Sequence, residues 1–520
     1  MSRVHLALST ALVALLVGLR LAWTDGLLGA PGGELFGHAW VQWWHADALP
    51  RWPDGPGALL LHPRPWPVID PLPTLFAAIL TRLSGAVVGW NALVLGCVML
   101  AFAGGASLAR RVDGDPVIGG LALALAPSLM GSAASGLTED LSIGLAALCL
   151  ARLGDKDTRR SAQAGLFLGL LAWCGPLVAW ATGLAALGLG IALLIRDRSR
   201  WKGLVASAVL TVVIALPAAM LQGSRLAGGG HRSGEVLART EPLWRLNPWQ
   251  GVDLASLLLP GPMDPGDALV RMHPGYLGVS LLGLALLGGW SRWWPVLAVA
   301  VLLAPGPHLS WMGEPLGVGN PAATLLDFVP MGDLVNHHGR LLLVGAVALA
   351  ALASRGAAKV PRKWRLFVGG LVAMDLAALS PVPAILPVTS IAPLGVYDCD
   401  SGPCVANLPP GGLLDLPVAG PGVHFQRPLL QQMHHHRPIM ADPNRPGLPP
   451  NAVQTESGRW LASLAFPDPA PAPTIFEAPS GVAVIVVRAP FVSACAAVLG
   501  PPDIERAGSA AWDVGRSTPE

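Results

Sequence analysis

The stretch SAQAGLFLGLLAWCGPLVAWATGLAALGLGIALLIRDRSRWKGLVASAVLTVVIALPAAMLQ, residues 161–222, decides the fold class. Its apolar runs, 161–174, 176–195 and 203–222, are joined first by a Gly-Pro turn without Lys or Arg and then by a basic loop. About 20 apolar residues suffice to cross the hydrocarbon core as a helix. Short loops that stay in the cytoplasm collect Lys and Arg. The stretch therefore predicts membrane helices that turn outside at Gly175 and Pro176 and inside around Arg196, Arg198, Arg200 and Lys202.

The same alternation extends in both directions. Eleven apolar segments fall at 4–23, 84–109, 116–133, 139–152, 161–174, 176–195, 203–222, 275–290, 293–306, 341–354 and 364–381, some shorter than a full span. Every second connection is basic: Arg110 and Arg111; Arg152, Lys156, Arg159 and Arg160; Arg292; then Arg355, Lys359, Arg362, Lys363 and Arg365. With Arg3 inside, this pattern puts the N-terminus in the cytoplasm and the tail outside. Residues 1–23 read as an uncleaved signal anchor, because no small-x-small cleavage site follows the apolar run. With 52% hydrophobic and 13% charged residues and a mean hydropathy of +0.54, the chain is too apolar for a water-soluble protein. A formal charge of +2 lacks the basic face that nucleic acid needs.

The expected architecture is an all-α polytopic membrane domain of about eleven transmembrane helices over residues 1–381, with outward loops 24–83, 223–274 and 307–340. A small α/β extracytoplasmic domain follows at 382–520, where GGLLDLPV (411–418) and GVAVIVVRA (481–489) read as strands. Cys97, Cys149 and Cys174 read as small apolar residues of the spans. Cys399 and Cys404 form a candidate disulfide in an oxidising compartment, with Cys495 as a competing partner.

Candidate chemistry begins in PGGELFGHAWVQWWHADALPRW, residues 31–52. If helical, it places Glu34 and His38 four residues apart on one face, while Trp40, Trp43 and Trp44 suit the headgroup level of a helix lying along the membrane. Glu139 and Asp140 in GLTED read either as carboxylates favoured at a helix start, with Thr138 as the cap, or as ligands of a divalent ion or an acceptor. Arg340, beside His337 and His338, enters a span and reads either as a snorkelling cation or as a bidentate clamp for phosphate. His434, His435 and His436 read as an extended loop whose consecutive side chains cannot converge on one ion. Asp375, inside a span, is what a transporter would show. No Walker loop, dinucleotide fingerprint or serine elbow occurs.

The acidic residue after the first span, the W-x-x-WW helix, HPRPWPVIDPLPTLFAAILTRLSG (62–85), YLGVSLLGLALLG (276–288), LLDFVPMGDLVNHHGRLLLVGAVALAAL (325–352) and QQMHHHRPIMADPNRP (431–446) together resemble the multi-span glycosyltransferases of the GT-C fold. The resemblance is closest to a bacterial branch in which an acidic residue precedes that helix. It implies a cytoplasmic-membrane enzyme that moves a sugar from a polyprenyl-phosphate-linked donor to a glycan, lipid or protein acceptor on the outer face. It implies Glu34 as catalytic base, where many members have Asp, with Asp25 in reserve. His38, Glu139, Asp140, His337, His338 and Arg340 are then the substrate-binding candidates. Some enzymes of this fold use Mg2+ or Mn2+ and others use no metal. A non-catalytic scaffold and a lipid or solute transporter are the alternatives.

Overall fold

The computed structural model describes residues 26–30, 34–48, 70–227, 251–260, 274–330, 332, 335, 337–382, 385–417, 422–440, 448, 452–464 and 469–515. The first expected span lies outside the described residues, as does most of the expected loop 223–274. Two compact units emerge. One comprises 1–22, 69–73 and 92–387; the other comprises 23–68, 74–91 and 388–520.

In chain order the helices are α1 (Leu35–Ala48), α2 (Pro71–Ser84), α3 (Ala86–Arg111), α4 (Pro116–Ala124), α5 (Pro127–Ser135), α6 (Ile143–Arg152), α7 (Thr158–Cys174), α8 (Pro176–Arg196) and α9 (Trp201–Ala227). They continue with α10 (Val279–Gly288), α11 (Trp293–Leu303), α12 (Leu341–Lys359), α13 (Arg365–Met374), α14 (Gly422–His435), α15 (Glu456–Ser463) and α16 (Val492–Leu499). Among the described residues, five helical stretches are long and apolar enough to cross a membrane: Ala86–Arg111, Pro116–Ser135, Pro176–Arg196, Arg198–Leu221 and His338–Lys359; α10 and α11 are shorter apolar helices. The chain is a helical, multi-pass membrane protein.

Local chemistry sets the helix ends of the first unit. The Asp115 carboxylate accepts from Val117 N at 2.9 Å and Ile118 N at 3.4 Å, with Pro116 at the position where a missing N–H costs nothing. Pro127 cannot donate within a helix, and the stretch 116–135 breaks into α4 and α5 there. Gly136, at φ +80°, ends α5 in the left-handed conformation. Helix α12 forms the centre, packed against α4, α10 and α11, and α9 packs on α7. Within the apolar window of each, 83% of the α12 stretch is buried against 11% of the α9 stretch, so α12 is the core and α9 turns most of its side chains outward, as a lipid-facing helix does. A methyl on Gly165 of α7 would sit 2.0 Å from Ser207 O, a backbone approach that only glycine allows and that drives helix association in lipid.

The second unit carries β1 (Gly26–Leu28) antiparallel to β4 (Val388–Ser390). (The hairpin β2, His308–Trp311, with β3, Glu314–Gly319, belongs to the first unit.) Asn91 extends the small β1–β4 sheet like a further strand, its Oδ1 accepting from Leu28 N at 2.8 Å and its Nδ2 donating to Gly26 O at 3.0 Å. A four-stranded sheet has the order β5–β6–β8–β7, from β5 (Gly412–Leu416), β6 (Val482–Arg488), β7 (Ile504–Arg506) and β8 (Ser509–Asp513). Strands β5 and β6 are parallel, and the other pairs are antiparallel. Leu414, Leu416, Ile485, Val487, Trp460 and Trp512 form its core. Cys399 and Cys404 are bridged, while Cys495 is free and buried in that core.

His434 and His435 end helix α14 and His436 follows at φ +54°, which corrects the expected extended loop. The three rings diverge: His434 Nε2 meets Ile391 O at 2.6 Å, His435 stacks on Tyr397 and His436 meets Trp43. Burial, reinforced by Arg437, depresses His435 to about 3. A neutral buried histidine whose folded value lies below its unfolded value of about 6.5 contributes stability that is complete above that value and is lost as pH falls. Thermal unfolding of the purified protein should therefore show a fall of up to about 2 kcal/mol between pH 7 and pH 5, and His435→Gln should flatten that slope.

Candidate functional site

A buried charged cluster of the first unit lies where α5 gives way to α6. Gly136 ends α5, and a 3-10 turn, Thr138–Asp140, leads toward α6. Leu137, not Thr138, holds the capping position of that turn, and it makes no side-chain cap. The two carboxylates instead meet Arg340, which ends a second 3-10 turn, His338–Arg340, at the start of α12. Arg340 Nη2 lies 2.6 Å from Glu139 Oε1, and its Nε lies 3.4 Å from Asp140 Oδ2. The side chains are 11%, 9% and 0% exposed. Ser132 Oγ donates to Asp140 Oδ2 at 2.9 Å, tying the turn back to α5.

Glu139, Asp140 and Arg340 thus bring two carboxylates and one guanidinium together in a nearly dry place. Carboxylate oxygens are the right donors for a hard ion such as Mg2+ or Mn2+, so Glu139 and Asp140 fit one by chemistry. Arg340 donates from Nη2 to Glu139 and stands within ion-pair distance of Asp140.

Two neighbours of the turn explain otherwise anonymous residues. A methyl on Gly175, in the turn between α7 and α8, would lie 2.1 Å from Glu139 O, so only glycine lets that turn press on the acidic one. The ring of His338 lies over Gly306, itself at φ +77°. His338 Nδ1 is buried with no hydrogen-bond partner among the described residues. His337 precedes it as a partly buried residue.

In the second unit Glu34 sits just before α1 and is about one-third exposed. Its Oε2 lies 3.1 Å from His38 Nε2. The pair expected from helical spacing is thus present. The surface helix is not: Trp40 and Trp44 are buried, and Trp40 Nε1 donates to Gln432 Oε1 at 2.8 Å. Tryptophans placed at the headgroup level by composition are core residues here, because α14 packs along α1 and covers them. Asp25 lies outside the described residues.

Asp375, the acid that a transporter would show, is fully engaged. Its Oδ1 accepts from Tyr276 OH at 2.6 Å, and its Oδ2 accepts from Ser280 N at 2.8 Å and Ser280 Oγ at 2.5 Å. It caps α10 from another helix. Asp253, which carried no signal in the sequence, accepts backbone N–H groups from Ala255, Ser256, Met312 and Gly313 and so pins segment 251–260 to the turn of the β2–β3 hairpin.

No family model and no curated protein matches the chain. Among solved structures it is similar to the arabinofuranosyltransferase AftD from Mycobacteria, at 16% identity and a TM-score of 0.49, over 94% of this chain and 37% of that one. The oligosaccharyltransferase of Archaeoglobus fulgidus matches at 11% identity and a TM-score of 0.44, over 94% and 70% of the two chains. ArnT from Cupriavidus metallidurans, in a structure bound to undecaprenyl phosphate, matches at 14% identity and a TM-score of 0.46, over the full length of both. The chain thus spans little more than a third of AftD.

Arg340→Gln should destabilise the purified protein by roughly 3–5 kcal/mol, because it takes the guanidinium away from two buried carboxylates; Arg340→Lys should recover part of the loss, having charge without the fork. Gly175→Ala should lower the melting temperature clearly, whereas Gly183→Ala, where a methyl meets nothing closer than 4.0 Å, should not. Equal melting curves for the two glycine variants would count against the contact.

Proposed function

We propose that the chain is an integral membrane glycosyltransferase that moves a sugar from a polyprenyl-phosphate-linked donor to an envelope acceptor on the outer face of the cytoplasmic membrane. The observation that carries this reading is the buried Glu139–Asp140–Arg340 cluster in a membrane domain. Buried ion clusters are costly there, and apolar residues of the same size would serve stability as well. The resemblance of the sequence to glycosyltransferases of the GT-C fold gives the cluster a chemistry.

Glu34 is the proposed base. As the acceptor hydroxyl oxygen forms its bond to the anomeric carbon, the hydroxyl proton passes to the Glu34 carboxylate. The bond between that carbon and the donor phosphate oxygen breaks, and polyprenyl phosphate leaves with the electron pair. His38, at 3.1 Å, orients the carboxylate. Asp25 is the reserve base. Glu139 and Asp140 would hold Mg2+ or Mn2+ if the enzyme uses one; such an ion would neutralise the leaving phosphate. Without a metal, the same carboxylates orient acceptor hydroxyls. Arg340 positions both carboxylates, and His337 and His338, beside Arg340 in sequence, are the proposed contacts to substrate.

Cells lacking the gene and complemented with wild type, with Glu34→Ala or with nothing test this reading by mass spectrometry of their envelope glycoconjugates. The expected result is a sugar-sized increment restored by wild type and not by a normally inserted Glu34→Ala. An increment restored equally by Glu34→Ala moves the base to Asp25, and no glycan change in any strain overturns the transferase reading.

A further inference from the structure

The second unit holds a polar cluster that neither the sequence motifs nor the proposed transfer chemistry uses. It forms at the carboxyl ends of the parallel strands β5 and β6. Asp415 stands next to last in β5, and Arg488 ends β6. Asp415 Oδ2 accepts from Tyr397 OH at 2.5 Å and from Arg488 Nη2. Burial and the Asp415 carboxylate hold the Tyr397 hydroxyl well above its ordinary range, so it remains a donor.

Helix α14 covers this end of the sheet with one face. Arg427, Gln431 and His435 are spaced four apart and so share a side of the helix. His435 stacks on Tyr397 with ring centroids 5.5 Å apart, and Arg427 lies near enough to Arg488 and Asp415 for their charges to act on it. The neighbouring side, with Gln432 and His436, meets Trp40 and Trp43 of α1. Gln431 lies between Arg427 and His435 on that shared side of the helix.

Gln431 is 1% exposed, and neither its Oε1 nor its Nε2 has a hydrogen-bond partner among the described residues. The same is true of Asp415 Oδ1, Arg488 Nη1 and His435 Nε2. Leaving one buried polar group unpaired costs on the order of 1–3 kcal/mol, and five such atoms gathered at one place are not a packing accident. His435 Nδ1 accepts from Arg437 N at 3.0 Å, which puts the proton of the neutral ring on Nε2 and makes that atom a donor. Arg437 itself is spent on the carbonyls of Val405, Gly411 and Pro409. Among the described residues, two guanidiniums, Arg427 and Arg488, act on the one carboxylate of Asp415, an excess of one positive charge.

We infer that the carboxyl end of β5 and β6, faced by Arg427, Gln431 and His435, is a binding site for an acidic sugar. The excess positive charge and the donors of Arg427, Arg488 and His435 take its carboxylate or phosphate. Gln431, with a donor and an acceptor, and Asp415 Oδ1 take adjacent hydroxyls, which both give and receive hydrogen bonds. Carboxyl ends of parallel strands are where open α/β sheets bind ligands. Joined to the transferase reading, on which this further step rests, the site makes the acceptor an acidic glycan; binding itself does not depend on that reading.

The test is titration of the purified full-length protein in nanodiscs with glucuronate, glucose 1-phosphate, glucose and inorganic phosphate. The two acidic sugars should bind, glucose should bind at least about tenfold more weakly, and Arg427→Gln should weaken the acidic sugars about tenfold or more, in line with loss of a charge-assisted hydrogen bond. Gln431→Leu should abolish the preference for glucose 1-phosphate over inorganic phosphate. Inorganic phosphate binding as tightly as glucose 1-phosphate to wild type would overturn the sugar part. Failure of both acidic sugars, or wild-type binding in Arg427→Gln and Gln431→Leu, would overturn the site, and a higher melting temperature in Gln431→Leu would then mark that residue as a buried polar defect. Because the readout is binding, failure here leaves the transfer experiment above unaffected, and the reverse also holds.

Discussion

The membrane unit depends on one interaction, the grip of Arg340 on Glu139 and Asp140. The three residues come from turns about 200 positions apart in sequence, at the start of α12 and between α5 and α6. Separated, each would be a charge stranded among apolar helices. Together they let two irregular turns sit inside a helical domain. Buried irregular backbone is tolerated only where its polar groups are met by partners. Gly175 adds a steric condition: the turn between α7 and α8 comes so close that Glu139 cannot shift without moving it. The cluster is thus held by charge from α12 and by contact from the α7–α8 turn.

The C-terminal sheet is organised on a different balance. Its core is ordinary, with Leu414, Ile485, Trp460 and Trp512 closing around a mixed sheet. Above the carboxyl ends of β5 and β6 the packing changes to polar groups, half of them bonded to one another and half not. Asp415 shows both conditions within one carboxylate, with Oδ2 bonded to Tyr397 and Arg488 and Oδ1 open. A domain built only for stability would have filled that place with aliphatic side chains, as it did a few residues away at Leu414 and Leu416.

Much of the membrane architecture was legible because it rests on local composition. The apolar runs of residues 161–222 and their alternating basic loops are properties of consecutive residues, and α7, α8 and α9 follow them closely. The single apolar segment expected at 116–133 is instead two helices, split at Pro127. Glu34 and His38 were legible as a pair because helical spacing alone brings them together. What escaped was decided by distant partners. Trp40 and Trp44 read as interfacial because nothing in their own segment reveals that α14 will cover them. Asp375 looked like a transport residue until Tyr276 and Ser280, about a hundred positions away, were seen to bind it. Arg427, Gln431 and His435 drew no reading as a group in the sequence, because their role depends on strand ends far from them along the chain. The triple histidine was expected to diverge and does, though by ending a helix rather than by lying extended.

The proposed reaction cleaves a sugar from polyprenyl phosphate and delivers it to a hydroxyl. The most direct measurement uses purified protein in nanodiscs, a series of polyprenyl-phosphate-linked sugars carrying radiolabel in the lipid phosphate, and an extract of envelope glycans as acceptor, with the labelled lipid resolved by chromatography. The account predicts acceptor-dependent conversion of one donor to free polyprenyl phosphate by wild type, and none by Glu34→Gln. No conversion of any donor, or equal conversion by both proteins, would contradict it.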